Sequence, residues 1–258
     1  GNNTNTTVNV PANVLMYGNS YTYSDNIDEI LFDMFDSVGE PNSTAANTSG
    51  GLSFVNHWNN INSSGNTWNT SLRNVSHAWD FVVLQDQSQI PGLLRSDQNW
   101  IDSMNAGVSI VEAIENESSE AMLLMTWGRR SGDQTNAALY SNFTNMQDRL
   151  EDGYIDYRDN MSTPTRDVWI APVGLGFKNI YYDVINSGGN PNVPVPANTF
   201  YELYDADGSH PSLSGSYLAA CILYSSMTGA PSVNLNDSVV LSNGLKLELQ
   251  QAADDTVF

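Results

Sequence analysis

The chain has 258 residues, enough to bury a sizeable core in one large domain or two small ones. Its 29 Asp and Glu against nine Lys and Arg give a formal charge of −20, with lysine only at Lys178 and Lys246. Nothing on such a surface neutralises phosphates, so nucleic acid is excluded as a partner, and a bare anionic membrane would repel it.

Residues 1–12 read as a flexible arm, followed by a single domain over 13–258. The arm opens without Met on a polar tract, Gly1-Asn2-Asn3-Thr4. With the N-x-Ser/Thr sequons that recur from Asn2 to Asn236, this points to an exported chain whose leader has been removed. Val14–Tyr17 is a short buried strand. Ile27, Ile30, Leu31, Met34, Phe35 and Val38 follow a 3.6-residue period, predicting a helix capped at Ser24 or Asp25 and ended by Gly39 and Pro41. A weakly apolar segment near Ser43–Asn47 is the second strand. Gly50-Gly51 leads into a helix over Leu52–Trp58, and 59–78 read as polar and irregular.

Phe81–Leu84 is the third strand, running into the turn Gln85-Asp86-Gln87-Ser88-Gln89. A stripe of Ile101, Met104, Val108, Val111 and Ile114 predicts a helix over Trp100–Glu117. Ala121–Thr126 is a continuous apolar run, the mark of a strand buried on both faces. Helix is expected over Asn136–Asp156, strand over Val168–Val173, a short helix over Phe177–Ile185, and a Gly/Pro/Asn-rich loop over 187–200. Ser216–Tyr224 is an apolar helix containing Cys221, the one cysteine, which excludes an internal disulfide. A last helix falls near Leu245–Ala253. No run reaches the roughly 18 apolar residues of a membrane span.

Strands alternating with helices imply a three-layer α/β/α sandwich on a mostly parallel, flavodoxin-like sheet. Such sheets bind ligands at the carboxyl ends of their strands. Ser20, the Gln-rich turn and Thr126-Trp127-Gly128 all follow strands, so they should share one edge.

Ser20 stands just past the first strand in Gly18-Asn19-Ser20-Tyr21-Thr22. Much later comes Asp207-Gly208-Ser209-His210-Pro211. A serine needs a base to become a nucleophile, and the base needs a group to hold its ring. Of the three histidines, His57 reads as structural, His77 as surface, and His210 as the base, able to take the Ser20 proton at neutral pH. Residue type alone leaves Asp205 and Asp207 both open as its partner. The histidines lack metal-ligand spacing, and no metal or cofactor is implied.

These blocks, in this order at the two ends of the chain, resemble the SGNH (GDSL-type) hydrolase superfamily over Val14 to about Gly229. The Val82-Val83-Leu84-Gln85-Asp86-Gln87-Ser88 run suggests an uncharacterised branch of it. The resemblance implies Ser20 as nucleophile, His210 as general base and Asp207, not Asp205, as its orienting partner. It also implies an oxyanion hole from the Ser20 N–H and a glycine amide of Gly50 or Gly51. Relatives add an Asn from a Gly-x-Asn-Asp block. Here glutamine stands in that turn, with Gln87 first, then Gln85 and Gln89 as donors. Trp127 and Arg129 are expected to border the substrate cleft, though an arginine in so acidic a chain can equally serve a surface ion pair.

The expected activity is that of a secreted, cofactor-independent serine esterase acting on short-acyl, acetyl-like esters of small alcohols or glycans. Two alternatives share the fold: a lipase or polyester-degrading hydrolase on the same triad, and a catalytically silent carbohydrate-binding protein.

Overall fold

A computed structural model of the chain describes residues 10–11, 13–39, 42–74, 76–194 and 198–258. Most of the expected arm, 1–9 and 12, lies outside the described residues, as do 195–197 of the long loop. Val10 packs on the core.

Five strands form one sheet in the order β2-β1-β3-β4-β5, every pair parallel. They are β1 (Asn13–Gly18), β2 (Ser43–Thr48), β3 (Phe81–Leu84), β4 (Glu120–Leu124) and β5 (Val168–Ala171). Between and after them run α1 (Ser20–Tyr23), α2 (Ile27–Ser37), α3 (Phe54–Ile61), α4 (Thr67–Leu72), α5 (Gln98–Glu112), α6 (Phe143–Met161), α7 (Val173–Asn186), α8 (Thr199–Glu202), α9 (Leu213–Thr228) and α10 (Asn243–Val257). The strand order is the flavodoxin-like one, with the crossover reversing between β1 and β3.

Strand side chains alternate between two cores, as a two-residue period requires. Val14, Met16, Val83, Met122 and Leu124 face the layer of α2, α7, α9 and α10. Leu15, Tyr17, Val82, Leu84, Ala121 and Leu123 face α3, α5 and α6. Because both faces are covered, β1, β3 and β4 carry almost unbroken apolar runs. α9 has lost its amphipathic stripe altogether: every residue from Ser214 to Ser225 is buried, including Cys221, whose thiol burial pushes up and leaves inert. Among the described residues no helix is long and apolar enough to cross a membrane.

Several boundaries differ from the sequence reading: the strand expected to reach Val173 ends at Ala171, since Val173 already opens α7, and three others have a local cause. α2 is capped by Asn26 in the left-handed region (φ 51°), a conformation asparagine tolerates. Ser24 is spent on α1 instead, its hydroxyl donating to the Ser20 carbonyl. The stretch 59–78 contains α4, capped by the Asn66 side chain; with only Leu72 buried, its sequence carries no apolar period to see. α6 starts later than expected because the Asn142 side chain caps it by accepting from the Asn145 N–H.

Candidate active site

Register brings the pieces together. Tyr17 pairs with Leu84, so β1 and β3 end side by side and their turns leave the same edge of the sheet. The turn after β1 is closed by Gln85, whose Oε1 accepts from the Asn19 N–H at 2.9 Å and the Thr22 hydroxyl at 3.0 Å. Gly18 is required there. A Cβ on it would stand 2.2 Å from the Thr22 hydroxyl and 2.8 Å from Gln85 Oε1. Asn19 caps α1 by accepting from the Tyr21 N–H, while its amide donates to the Leu52 carbonyl and ties the turn to the loop after β2.

Ser20, the first residue of α1, thus projects from a buried, hydrogen-bonded turn. Its Oγ lies 2.9 Å from His210 Nε2. His210 Nδ1 lies 2.5 Å from Asp207 Oδ2. The other Asp207 oxygen accepts from the Ser209 and His210 backbone N–H groups at 2.9 and 3.0 Å. Partial burial opposes ionisation of Asp207, but the His210 ring and these two amides outweigh it and hold its carboxyl below the usual range. Asp205 does not reach the ring. Its carboxylate acts instead on Asp25, which burial first and then Asp205 push upward.

The loop that carries Asp207 and His210 is gripped from outside. Tyr21 stacks on Trp127 with ring centres 4.7 Å apart, and Trp127 stacks on Phe177 at 4.7 Å. From this pile the Tyr21 hydroxyl bonds the Ser209 hydroxyl at 2.6 Å, and the Trp127 indole donates to the Ser209 carbonyl at 3.1 Å. The Arg130 N–H donates to the Gly208 carbonyl at 2.8 Å. Gly208 itself sits at φ 67°, where glycine is favoured.

A cavity of about 250 Å³ opens on Ser20 and His210, bordered by Gly51, Gln87, Ser88 and Arg129. Asp86, fully buried behind it, joins three elements. It accepts from the Phe54 and Gln87 N–H groups, the Ser103 hydroxyl and the Tyr157 hydroxyl. Burial raises its pKa against the pull of those four donors. Its role is to fix the loop after β2 relative to the turn after β3. Among the described residues, no group of three His, Cys, Asp or Glu gathers into a metal site.

The chain has the SGNH-type hydrolase fold. It aligns with a candidate SGNH hydrolase from Slackia heliotrinireducens at TM-score 0.62 and 24% identity, over 86% of this chain and 100% of that one. A DUF4886 family protein from Bacteroides uniformis aligns at TM-score 0.73 and 18% identity, over 95% and 94%. A candidate acylhydrolase from Bacteroides fragilis aligns at 0.51 and 15%, over 84% and 87%. No family model and no curated protein matches the chain.

The residues singled out from sequence fall into two groups. Ser20, His210, Asp207, Gly51, Gln87 and Arg129 lie together at the cavity or directly behind it. Gly50 is exposed and does not border it. Gln85 is 1% exposed and committed to the turn, its amide also donating to the Asp86 carbonyl, so it is a turn-former instead of an oxyanion donor. Trp127 is 0% exposed; with no free surface it supports the histidine loop instead of bordering the cleft. His57 is buried and accepts from the Trp68 indole at 2.9 Å, as a structural histidine should. Sequence reasoning missed Asn19, Tyr21, Asp86, Asp133 and Ser209 as parts of the site. The first three sit inside blocks that already stood out, but their partners are remote in sequence. Ser209 likewise lies inside the histidine block, and Asp133 carried no signal.

Proposed function

We propose that the chain is a serine ester hydrolase in which Ser20, His210 and Asp207 form the catalytic triad. The observation that carries this is the unbroken line of hydrogen bonds from Ser20 Oγ through both ring nitrogens to Asp207, opening on a cavity. His210 Nε2 takes the Ser20 proton as Oγ attacks the ester carbonyl. The tetrahedral intermediate collapses as His210 returns that proton to the leaving alcohol. Water, deprotonated by the same nitrogen, then cleaves the acyl-enzyme and frees Ser20. Asp207 keeps Nδ1 protonated and stabilises the imidazolium. It can do so without titrating because its carboxyl is held low.

The developing oxyanion needs donors on the side away from His210. The Ser20 N–H is one, since the first N–H groups of a helix have no intrahelical acceptor. The Gly51 N–H is the second; its φ of 69° lies in the left-handed region that favours glycine. Gln87 supplies the third. One N–H of its amide is spent on Gln89 Oε1, leaving the other for the cavity.

A space of about 250 Å³ favours an acetyl or butyryl group over a long acyl chain. Esters of neutral small alcohols or glycans, met outside the cell, fit the sequon-rich sequence. A fluorophosphonate should label Ser20 stoichiometrically, and p-nitrophenyl esters should lose kcat/KM steeply beyond about eight acyl carbons, a bound set by pocket size. A chain that neither labels nor hydrolyses the acetyl ester would be a silent relative. A maximum on palmitoyl esters would make it a lipase.

A further inference from the structure

The cavity beside Ser20 has one cationic side chain on its border, Arg129, in a chain with nine Lys and Arg against 29 Asp and Glu. Its guanidinium is only partly engaged. Arg129 Nη1 donates to Asp133 Oδ1 at 3.0 Å, but its buried Nε has no hydrogen-bond partner. Five N–H donors fan from the guanidinium, and Asp133 occupies one edge only.

Asp133 is itself 2% exposed and already saturated. It accepts from the Thr135 N–H at 3.1 Å, the Asn136 amide at 3.0 Å and the Gln89 amide. These donors offset its burial and keep it ionised. Much of its charge is therefore answered by its own loop and by the turn after β3, and it acts on Arg129 as an anchor that fixes the guanidinium in place. Three hydroxyl side chains, Tyr21, Ser88 and Ser209, border the same cavity. Tyr21 bonds Ser209 at 2.6 Å and also meets Ser88 and Arg129. A fixed arginine edge with neutral hydroxyl donors beside it is a carboxylate receptor in form.

We propose that Arg129 is a specificity residue that binds a carboxylate carried by the substrate next to its scissile ester, so that half-esters of small dicarboxylic acids are preferred to their neutral diesters. This rests on the esterase reading above and replaces its acetyl-like acyl group with a short one that carries a carboxylate. The acidic exterior slows the approach of any anion. A single buried-anchored arginine at the reaction centre is what would reverse that disadvantage once the substrate has arrived.

The test compares monomethyl with dimethyl malonate, succinate and glutarate on the purified chain, correcting the diesters for their two equivalent groups. For at least one chain length, kcat/KM should be tenfold or more higher for the half-ester. R129M should lower that ratio at least tenfold, mainly through KM of the half-ester, and R129K should fall between. R129Q serves in place of R129M if the latter does not fold. A wild-type ratio at or below one for all three acids overturns the proposal, as does a ratio unchanged in the Arg129 variants. If dimethyl esters are cleaved and a fluorophosphonate labels Ser20 while the ratio fails, the esterase reading survives and only the carboxylate claim falls. If neither diester nor half-ester is cleaved and Ser20 is not labelled, both fall.

Discussion

The two ends of the triad are held by different physics. Ser20 leaves a turn built into the sheet edge, where Gln85, Asn19 and Gly18 make their contacts inside the core. His210 and Asp207 ride an exposed loop, their side chains 37% and 50% exposed, and a hydrogen bond in water is worth little by itself. The loop is nonetheless pinned, because Tyr21, Trp127 and Arg130 grip the Gly208 and Ser209 backbone and hydroxyl from the buried side. A nucleophile can be positioned by the core directly. A base that must meet solvent and substrate has to borrow its rigidity from neighbours.

Removing either end should erase the difference. Ser20→Ala and His210→Ala should each lower kcat by about 10⁴–10⁶ with Tm little changed, and the double variant should be no worse, since triad members act as a unit. Additive losses would mean the two residues serve separate steps. Asp207→Asn should cost up to about 10⁴ by fixing the wrong tautomer, whereas Asp205→Asn should be nearly silent. The reverse order would move the orienting role to Asp205.

The glutamines separate catalysis from scaffolding at the Ser20 end. Gln87→Ala should lower kcat by about 10²–10³ at constant Tm, as the loss of an oxyanion donor does. Gln85→Ala strands the Asn19 N–H and the Thr22 hydroxyl, so it should cost about 1–3 kcal/mol of stability first and activity as a consequence. Equal effects of both on kcat at unchanged Tm would show that Gln85 meets substrate after all.

The core-built end should also carry a pH signature of its own. His57 packs behind the turn against Tyr17, and burial pushes its imidazole from 6.5 down to about 4, slightly offset by the Gly18 carbonyl. Its folded-state pKa lies below the unfolded one, so the unfolded chain binds the extra proton. Stability from this residue is full above pH 6.5 and is lost as pH falls toward 4, on the order of 3 kcal/mol in all. Chemical denaturation across that window should show the decline, and His57→Gln should flatten it. Asp207 and Asp133, both held below 3.8, add their losses only at lower pH.

Much of this was legible in the sequence for a physical reason. The strands β1, β3 and β4 are buried on both faces and announce themselves as apolar runs, and the serine block and the Gln-rich turn directly follow two of them. The polar helix α4 was hidden because it buries only Leu72. The functions of Gln85 and Trp127 were misread for a different reason. Each is defined by a partner 66 or 82 residues away, and sequence shows a side chain's chemistry without its neighbours. The same holds for Asp86, whose four donors come from four places in the chain.

The smallest expected effect tests the grip on the histidine loop. Trp127→Phe keeps an aromatic ring between Tyr21 and Phe177 but deletes the indole N–H that the Ser209 carbonyl accepts. A single neutral hydrogen bond contributes about 0.5–1.5 kcal/mol, so kcat should fall by roughly two- to tenfold. The loss should appear in kcat more than in KM, because Trp127 has no surface from which to touch substrate. It should also vanish in an Asp207→Asn background, where the ring is already misdirected and a better-held loop brings no gain. Tyr21→Phe, which removes the second grip on Ser209, should behave in the same way. A Trp127→Phe variant with unchanged kcat would mean that the Arg130 N–H and Tyr21 hold the loop without it. A rise in KM alone would return Trp127 to the substrate cleft, which requires the loop to move aside when substrate binds.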